Sequence, residues 1–230
     1  LQSFGCSVEE DNFESSMPVG RIPMKNIVAK IPGASASVVL LLTHYDTLRK
    51  ADFVGANDSG SSTGLMLEMA RQLCGKKGGV SVWIAFLDGE EALVEWSETD
   101  GTYGSRQMAA RLALSNELKR VKAVVLADMI GDRDLKVKRE SNSTGWLTDL
   151  VWNTAKRLGY EKHFVSDSQA IEDDHMPFLR RGVPAVDLID FDYPPWHTLE
   201  DTLDKVSARS LGVVGHVILE SVKELEKKVL

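Results

Sequence analysis

Two adjacent carboxylates, Glu90 and Glu91, close an apolar run, Val80–Leu87, that ends abruptly in Asp88-Gly89. A short apolar run bounded by turn residues reads as a buried strand. The C-terminal end of such a strand is where an open α/β sheet keeps its chemistry. Successive side chains diverge from an extended backbone, so the two acids point in different directions. One can hold a metal ion while the other moves protons. Partners for both roles lie elsewhere in the chain: His44, Asp46, Asp58, Asp128, the Glu172–His175 run and His197. Histidine with Asp and Glu and no cysteine suits zinc, and a catalytic zinc takes three protein ligands and keeps one position open. Asp58, Glu91 and His197 satisfy that count. Taken singly each has a plainer reading: Asp58 as a helix cap, His197 as a hydrogen-bonded loop histidine, Asp128 as a strand-end turn residue.

These residues fall just after predicted strands or in the loops between elements. Ser37–Leu42 is a second strand pattern and leads into Thr43-His44-Tyr45-Asp46. The small-residue stretch Gly55–Ser62 should open a helix whose inner face carries Met66, Met69, Ala70 and Leu73. Further helices are expected over 104–114, 147–158 and 177–181, and further strands over 26–31, 121–126 and 183–189. Leu211, Val214, Ile218, Val222 and Leu225 form the stripe of a C-terminal amphipathic helix. Residues 1–25 read as an irregular polar N-terminal segment. Strands alternating with helices, without repeat or linker, argue for a single α/β catalytic domain over residues 1–230.

Composition narrows the function. The 230 residues are 43% hydrophobic and 27% charged, ordinary for a globular chain. A net charge of −7 and no basic cluster make nucleic acid and anionic membranes poor partners. No stretch approaches the ~20 apolar residues of a membrane span. No G-x-G-x-x-G or Walker pattern is present, which removes the usual nucleotide sites. Two cysteines, Cys6 and Cys74, exclude a disulfide-rich scaffold and could form one bridge. The chain opens on Leu1 rather than Met, as expected of a processed or trimmed form with any signal peptide removed.

Several runs together resemble a known family. His44-Tyr45-Asp46, Gly55–Gly60, Glu90-Glu91, Asp128 and His197 are similar to the pattern of the M28 zinc aminopeptidase clan. Within it, Phe86–Trp96 with Tyr103-Gly104-Ser105-Arg106, then Glu172–Pro184 (EDDHMPFLRRGVP), then Trp196-His197-Thr198 resemble glutaminyl cyclases, over about residues 26–225. The resemblance implies a central mixed, twisted β-sheet with helices on both faces. It implies one Zn²⁺ held by Asp58, Glu91 and His197, with Glu90 as the general acid/base. Asp173 and Asp128 would form a hydrogen-bonded pair that orients the substrate, and Trp96, Trp196 and Glu172 would line its pocket. The implied reaction closes an N-terminal glutamine of a peptide or protein into pyroglutamate, releasing ammonia. A monomer in a secreted or periplasmic location is the family expectation.

The match departs in places. Thr43 and Thr63 stand where animal secreted members carry a disulfide, Glu172 where they have Gln, and Asp187 where they have a pocket-side His. A rival within the clan is a two-zinc aminopeptidase, with His44 and Asp128 holding a second metal and Asp58 bridging. A second rival, of another class, is a non-catalytic zinc-stabilised module that binds peptide termini.

Overall fold

The computed structural model describes residues 1–76 and 78–229. Eight strands and five α-helices are described, and six of the strands build one mixed sheet. β3 (Val38–His44), β4 (Ser81–Leu87), β5 (Val121–Asp128) and β8 (Ala185–Ile189) run parallel, in the order β4-β3-β5-β8. β1 (Ser7–Met17) and β2 (Gly20–Ile31) extend the β4 edge antiparallel. β6 (Val137–Glu140) and β7 (Phe164–Gln169) pair as a small separate sheet.

The parallel strands are continuous apolar runs because both faces are covered. Alternate side chains go to opposite sides. Val39, Leu41, Ile84, Val125 and Val186 pack under α1 (Gly60–Leu73), α3 (Gly145–Arg157) and α5 (Ala208–Val229). Leu40, Leu42, Trp83, Val124 and Leu126 pack under α2 (Tyr103–Leu114) and α4 (Met176–Leu179). The chain steps from β3 outward to β4 through α1, then back across β3 to β5 through α2. That reversal opens a crevice at the carboxyl ends of the strands, where ligands bind in sheets of this kind.

Residues 1–25 are not irregular. They form most of a long hairpin turning at Pro18-Val19, with Met17 opposite Gly20. The period-two signal is weak there because the strand lies at the sheet edge, and only Asp11 and Met17 of β1 are buried. Cross-strand ion pairs add to its apolar contacts: Lys30 Nζ reaches Glu9 and Lys25 Nζ reaches Glu10, each at 2.5 Å. Charged edge strands also resist pairing with other chains. Cys6, just before β1, is disulfide-bonded to Cys74, just after α1.

The small sheet has a structural centre of its own. Glu140, at the end of β6, is buried, and its two oxygens accept N–H groups from Asn142, Ser143 and Ile171 at 2.7–3.1 Å, plus His175 Nε2 at 3.1 Å. Burial opposes its ionisation, but His175 and these N–H groups outweigh it and hold the carboxyl down at about 2. The grip falls on both sides of Glu172–Asp174.

Two expectations follow from these ties. Replacing Cys6 and Cys74 by serine opens a bridge spanning 68 positions of chain and should cost about 2–4 kcal/mol. A calorimetric melt should show Tm lowered by about 5–10 °C. Glu140 has its folded pKa depressed from 4.5, so its contribution is complete above the unfolded value and is lost as pH falls from about 4.5 towards 2. At ~1.4 kcal/mol per pH unit this amounts to about 3 kcal/mol. Urea melts of Glu140→Gln at pH 7 should show that loss, and a flatter acid limb from pH 5 to 3.

Candidate metal centre and reaction cleft

Loops at the carboxyl ends of β3, β4, β5 and β8, with the loop between β7 and α4, bring the titratable residues together. His44 ends β3, and Asp128 ends β5. Their strands pair with Leu42 opposite Leu126, so two residues further on the imidazole and the carboxylate stand side by side. His44 Nε2 lies 3.1 Å from Asp128 Oδ1 and 3.2 Å from Asp58 Oδ1, and Nδ1 is 3.5 Å from Asp46 Oδ1. Burial works against charge on His44, but Asp128, Asp46 and Asp58 prevail and hold its pKa well above the ordinary value.

Asp58 does not cap α1. The cap position is Ser59, without a side-chain cap bond, and Asp58 turns its carboxylate into the cleft between two histidines. Gly55 permits this loop: at φ +62° its missing Cβ would stand 2.3 Å from the Asp58 carbonyl oxygen. The second Asp58 oxygen is 3.4 Å from His197 Nε2, which is also 3.3 Å from Glu91 Oε2. Burial of Asp58 is outweighed by His197 and His44, which hold its carboxyl well below the usual range. His197, with φ +56°, is half-buried; burial lowers its pKa but Asp58 and Glu91 push it up to about 9.

Donor atoms of Asp58, Glu91 and His197 all lie within 4.8 Å of one another, and so do those of His44, Asp58 and Asp128. Asp58 belongs to both groups. Glu91 Oε1 is buried without a hydrogen-bond partner among the described residues. Two carboxylates and an imidazole with a spare buried oxygen are a donor set that fits zinc.

Glu90 faces the same cleft but makes a different acid. Burial raises its pKa well above the ordinary value, and the charges of Asp173, Asp174 and Glu91 add to the rise against an opposing pull from His44. The Glu90-Glu91 turn is fixed from behind by Asp46, whose two oxygens accept the Glu90 N–H (3.1 Å) and the Glu91 N–H (3.2 Å).

Asp173 is likewise buried, and its pKa is raised well above the ordinary value, first by burial and then by the charges of Asp187 and Asp128. The Asp128–Asp173 hydrogen bond expected from the sequence is not formed. His44 occupies Asp128 instead, because β3 and β5 are neighbours in the sheet. Asp173 Oδ2 has no partner among the described residues. Asp187, buried on β8, also leaves both oxygens unpartnered.

The cleft measures about 570 Å³ and is walled by Trp96, Trp196, Phe191 and Ile171, with Glu90, Glu91, Asp173 and His197 among its polar lining. Trp196 stacks on His197 at 4.1 Å between ring centres and leans on Phe191 at 4.6 Å. Glu172 lies at the rim, 3.6 Å from Arg180. Asp100 steers the Trp96 loop by accepting the Leu93, Val94 and Glu95 N–H groups at 2.9–3.0 Å and the Tyr103 hydroxyl at 2.8 Å. Gly101 makes room, since a Cβ there would meet the Trp96 ring at 3.0 Å. Asp58, Glu90, Glu91, Trp96, Asp128, Glu172, Asp173, Trp196 and His197 line this cleft and His44 lies against Asp58 and Asp128, whereas Asp46 binds the Glu90-Glu91 backbone, Asp174 binds Ser105 and His175 binds Glu140. The supporting carboxylates Asp100, Glu140 and Asp201 were not foreseen, because an acid that binds backbone looks in sequence like a solvated turn residue.

Known proteins share this arrangement. Residues 26–222 match the model of peptidase family M28. The glutaminyl-peptide cyclotransferase of Boiga irregularis is 32% identical over 253 residues, covering 93% of this chain and 69% of that protein. The crystal structure of an Acidobacteriales bacterium glutaminyl cyclase is 43% identical, with a TM-score of 0.94 over 96% of this chain and 80% of that one. A Zn-dependent exopeptidase from Parabacteroides distasonis superposes with a TM-score of 0.85 at 25% identity, covering 95% and 84%. With its sheet order, its acid-and-histidine edge and these likenesses, the chain belongs to peptidase family M28, in the glutaminyl cyclase branch.

Proposed function

We propose that this chain is a zinc-dependent glutaminyl-peptide cyclotransferase, converting an N-terminal glutamine to pyroglutamate with release of ammonia. The observation that supports it is the division of labour at Glu90-Glu91. Glu91 converges with Asp58 and His197, while Glu90, buried with a raised pKa, faces the same cleft uncommitted to that group. Asp58, Glu91 and His197 would hold one Zn²⁺. When bound there, zinc supplies Lewis-acid polarisation of a carbonyl oxygen.

The protein side of the chemistry follows from the residues. The aromatic walls Trp96 and Trp196 enclose a substrate that enters by its terminal residue, with Glu172 at the rim. The α-amine and the γ-carboxamide belong to one residue, so holding them together converts proximity into rate. The α-nitrogen forms a bond to the γ-carbon and the bond from that carbon to the amide nitrogen breaks. Glu90 takes the proton from the attacking amine and returns it to the departing nitrogen, which leaves as ammonia. A carboxyl with a raised pKa is both a stronger base when ionised and a ready donor when protonated. Asp173, with an unpartnered oxygen, orients the substrate by hydrogen bonding, and Asp128 steadies it through His44. The disulfide suits an oxidising compartment, so secretion or a periplasmic location is proposed as well. Peptides with N-terminal glutamine are the partners.

A two-metal aminopeptidase is the second reading, because His44, Asp58 and Asp128 form another group of converging donors. The greater similarity to a glutaminyl cyclase than to the exopeptidase favours the first. Incubation with a Gln-initiated peptide should release ammonia with the matching mass loss, at one zinc per chain. Two tightly held zinc ions with hydrolysis of leucine arylamides would reverse the choice. Glu90→Gln should bind zinc and fold normally while turnover drops by about 10²–10⁴-fold; a wild-type rate would remove Glu90 from proton transfer.

A further inference from the structure

We infer that Asp201 is a positioning residue that sets zinc affinity by locking the two loops carrying Asp58 and His197 to each other. It lies four residues beyond His197 and is wholly buried. Its Oδ1 accepts the Asn57 N–H at 2.8 Å and the Tyr193 hydroxyl at 2.8 Å; its Oδ2 accepts the Asp58 N–H at 3.1 Å. Its backbone carbonyl takes the Ala56 N–H at 3.3 Å. One residue thus collects three consecutive N–H groups from the β3–α1 loop and a hydroxyl from the loop that ends in Trp196-His197. The link continues through Asn57, whose Oδ1 accepts the Gly131 N–H at 2.7 Å and whose Nδ2 donates to the Met129 carbonyl at 3.4 Å. The loop after β5, which follows Asp128, is therefore tied to the same knot.

The residue type matters because three donors converge on two oxygens. A carboxylate presents acceptors at both, whereas an amide would turn an NH₂ group towards one donor. The ordering falls on residues 56–58 and 193–201, which hold two of the three proposed ligands at a separation where small displacements change metal binding. Partners behind metal ligands typically contribute about 10–100-fold in affinity. A merely structural Asp201 would lower the stability of the zinc-free chain and leave the folded fraction's zinc affinity untouched.

The inference rests on the reading of Asp58 and His197 as ligands, and the test separates the two. Zinc affinity of the full chain would be measured by competition with a chromophoric chelator, alongside urea melts in EDTA. Asp201→Asn should bind zinc about 10–100-fold more weakly, after correction for any unfolded fraction. Tyr193→Phe, which removes one donor and leaves both N–H bonds, should lose a few-fold, and it decides the matter if the amide variant does not fold. Affinity within twofold of the wild type in whichever variant folds would overturn the role of Asp201. Unchanged affinity in a parallel His197→Ala would instead sink the ligand assignment beneath it.

Discussion

Confining negative charge in a dry crevice is costly, and the carboxyl edge of this sheet is built around meeting that cost. Asp58, Glu90, Glu91, Asp128 and Asp173 are all buried and share one cleft or its floor. They escape mutual repulsion in two ways. Asp58 is paired with imidazoles on both sides and stays ionised. Glu90 and Asp173 have no such partner, and their pKa values are pushed well above the ordinary carboxylate range, first by burial. Environments that drive neighbouring acids in opposite directions are how one site obtains both a metal-binding anion and a proton carrier.

A second set of acids binds chiefly backbone. Asp46 binds the backbone of Glu90 and Glu91, Asp100 that of residues 93–95, Asp201 that of 57 and 58, and Glu140 that of Asn142, Ser143 and Ile171. Each accepts two or more N–H groups that no strand or helix satisfies. Loops of irregular backbone would otherwise leave those donors unpaired in a buried place. The acids therefore fix the geometry of the reacting acids, through hydrogen bonds that are stronger for being charge-assisted.

The parallel core was readable from sequence because strands covered on both faces are plain apolar runs. Val80–Leu87 and Val121–Leu126 appear almost intact as β4 and β5, and the apolar stripe from Leu211 to Leu225 lies within α5. The first 25 residues escaped, since an edge hairpin held by Lys–Glu pairs lacks that pattern. β6 and β7 escaped too: each is short, with charged or exposed residues along it. At the site, chemically distinctive side chains converged as their types suggested. What sequence could not reveal was which acid would claim which partner. His44 takes Asp128 because strand order puts β3 beside β5, and that order emerges only when the chain folds.

Helix α1 shows how the same scaffold can be steadied by different means. The Thr63 hydroxyl, in its first turn, donates to the His44 carbonyl at 2.7 Å, and the Thr43 hydroxyl donates to the same oxygen at 3.1 Å. These two threonines stand where the family resemblance places a disulfide in animal relatives; here the Thr63 hydrogen bond joins helix to strand, while that of Thr43 stays within β3. The covalent link lies at the opposite end, from Cys74 to Cys6. A 14-residue helix is about 21 Å long, which puts the bridge too far from Asp58 to shape its geometry directly. The bridge constrains the unfolded chain and secures the N-terminal hairpin, while the two hydroxyls, one on the strand that ends in His44 and one a turn beyond Asp58, hold the site. Covalent stability and the placement of the acids have been separated onto the two ends of one helix.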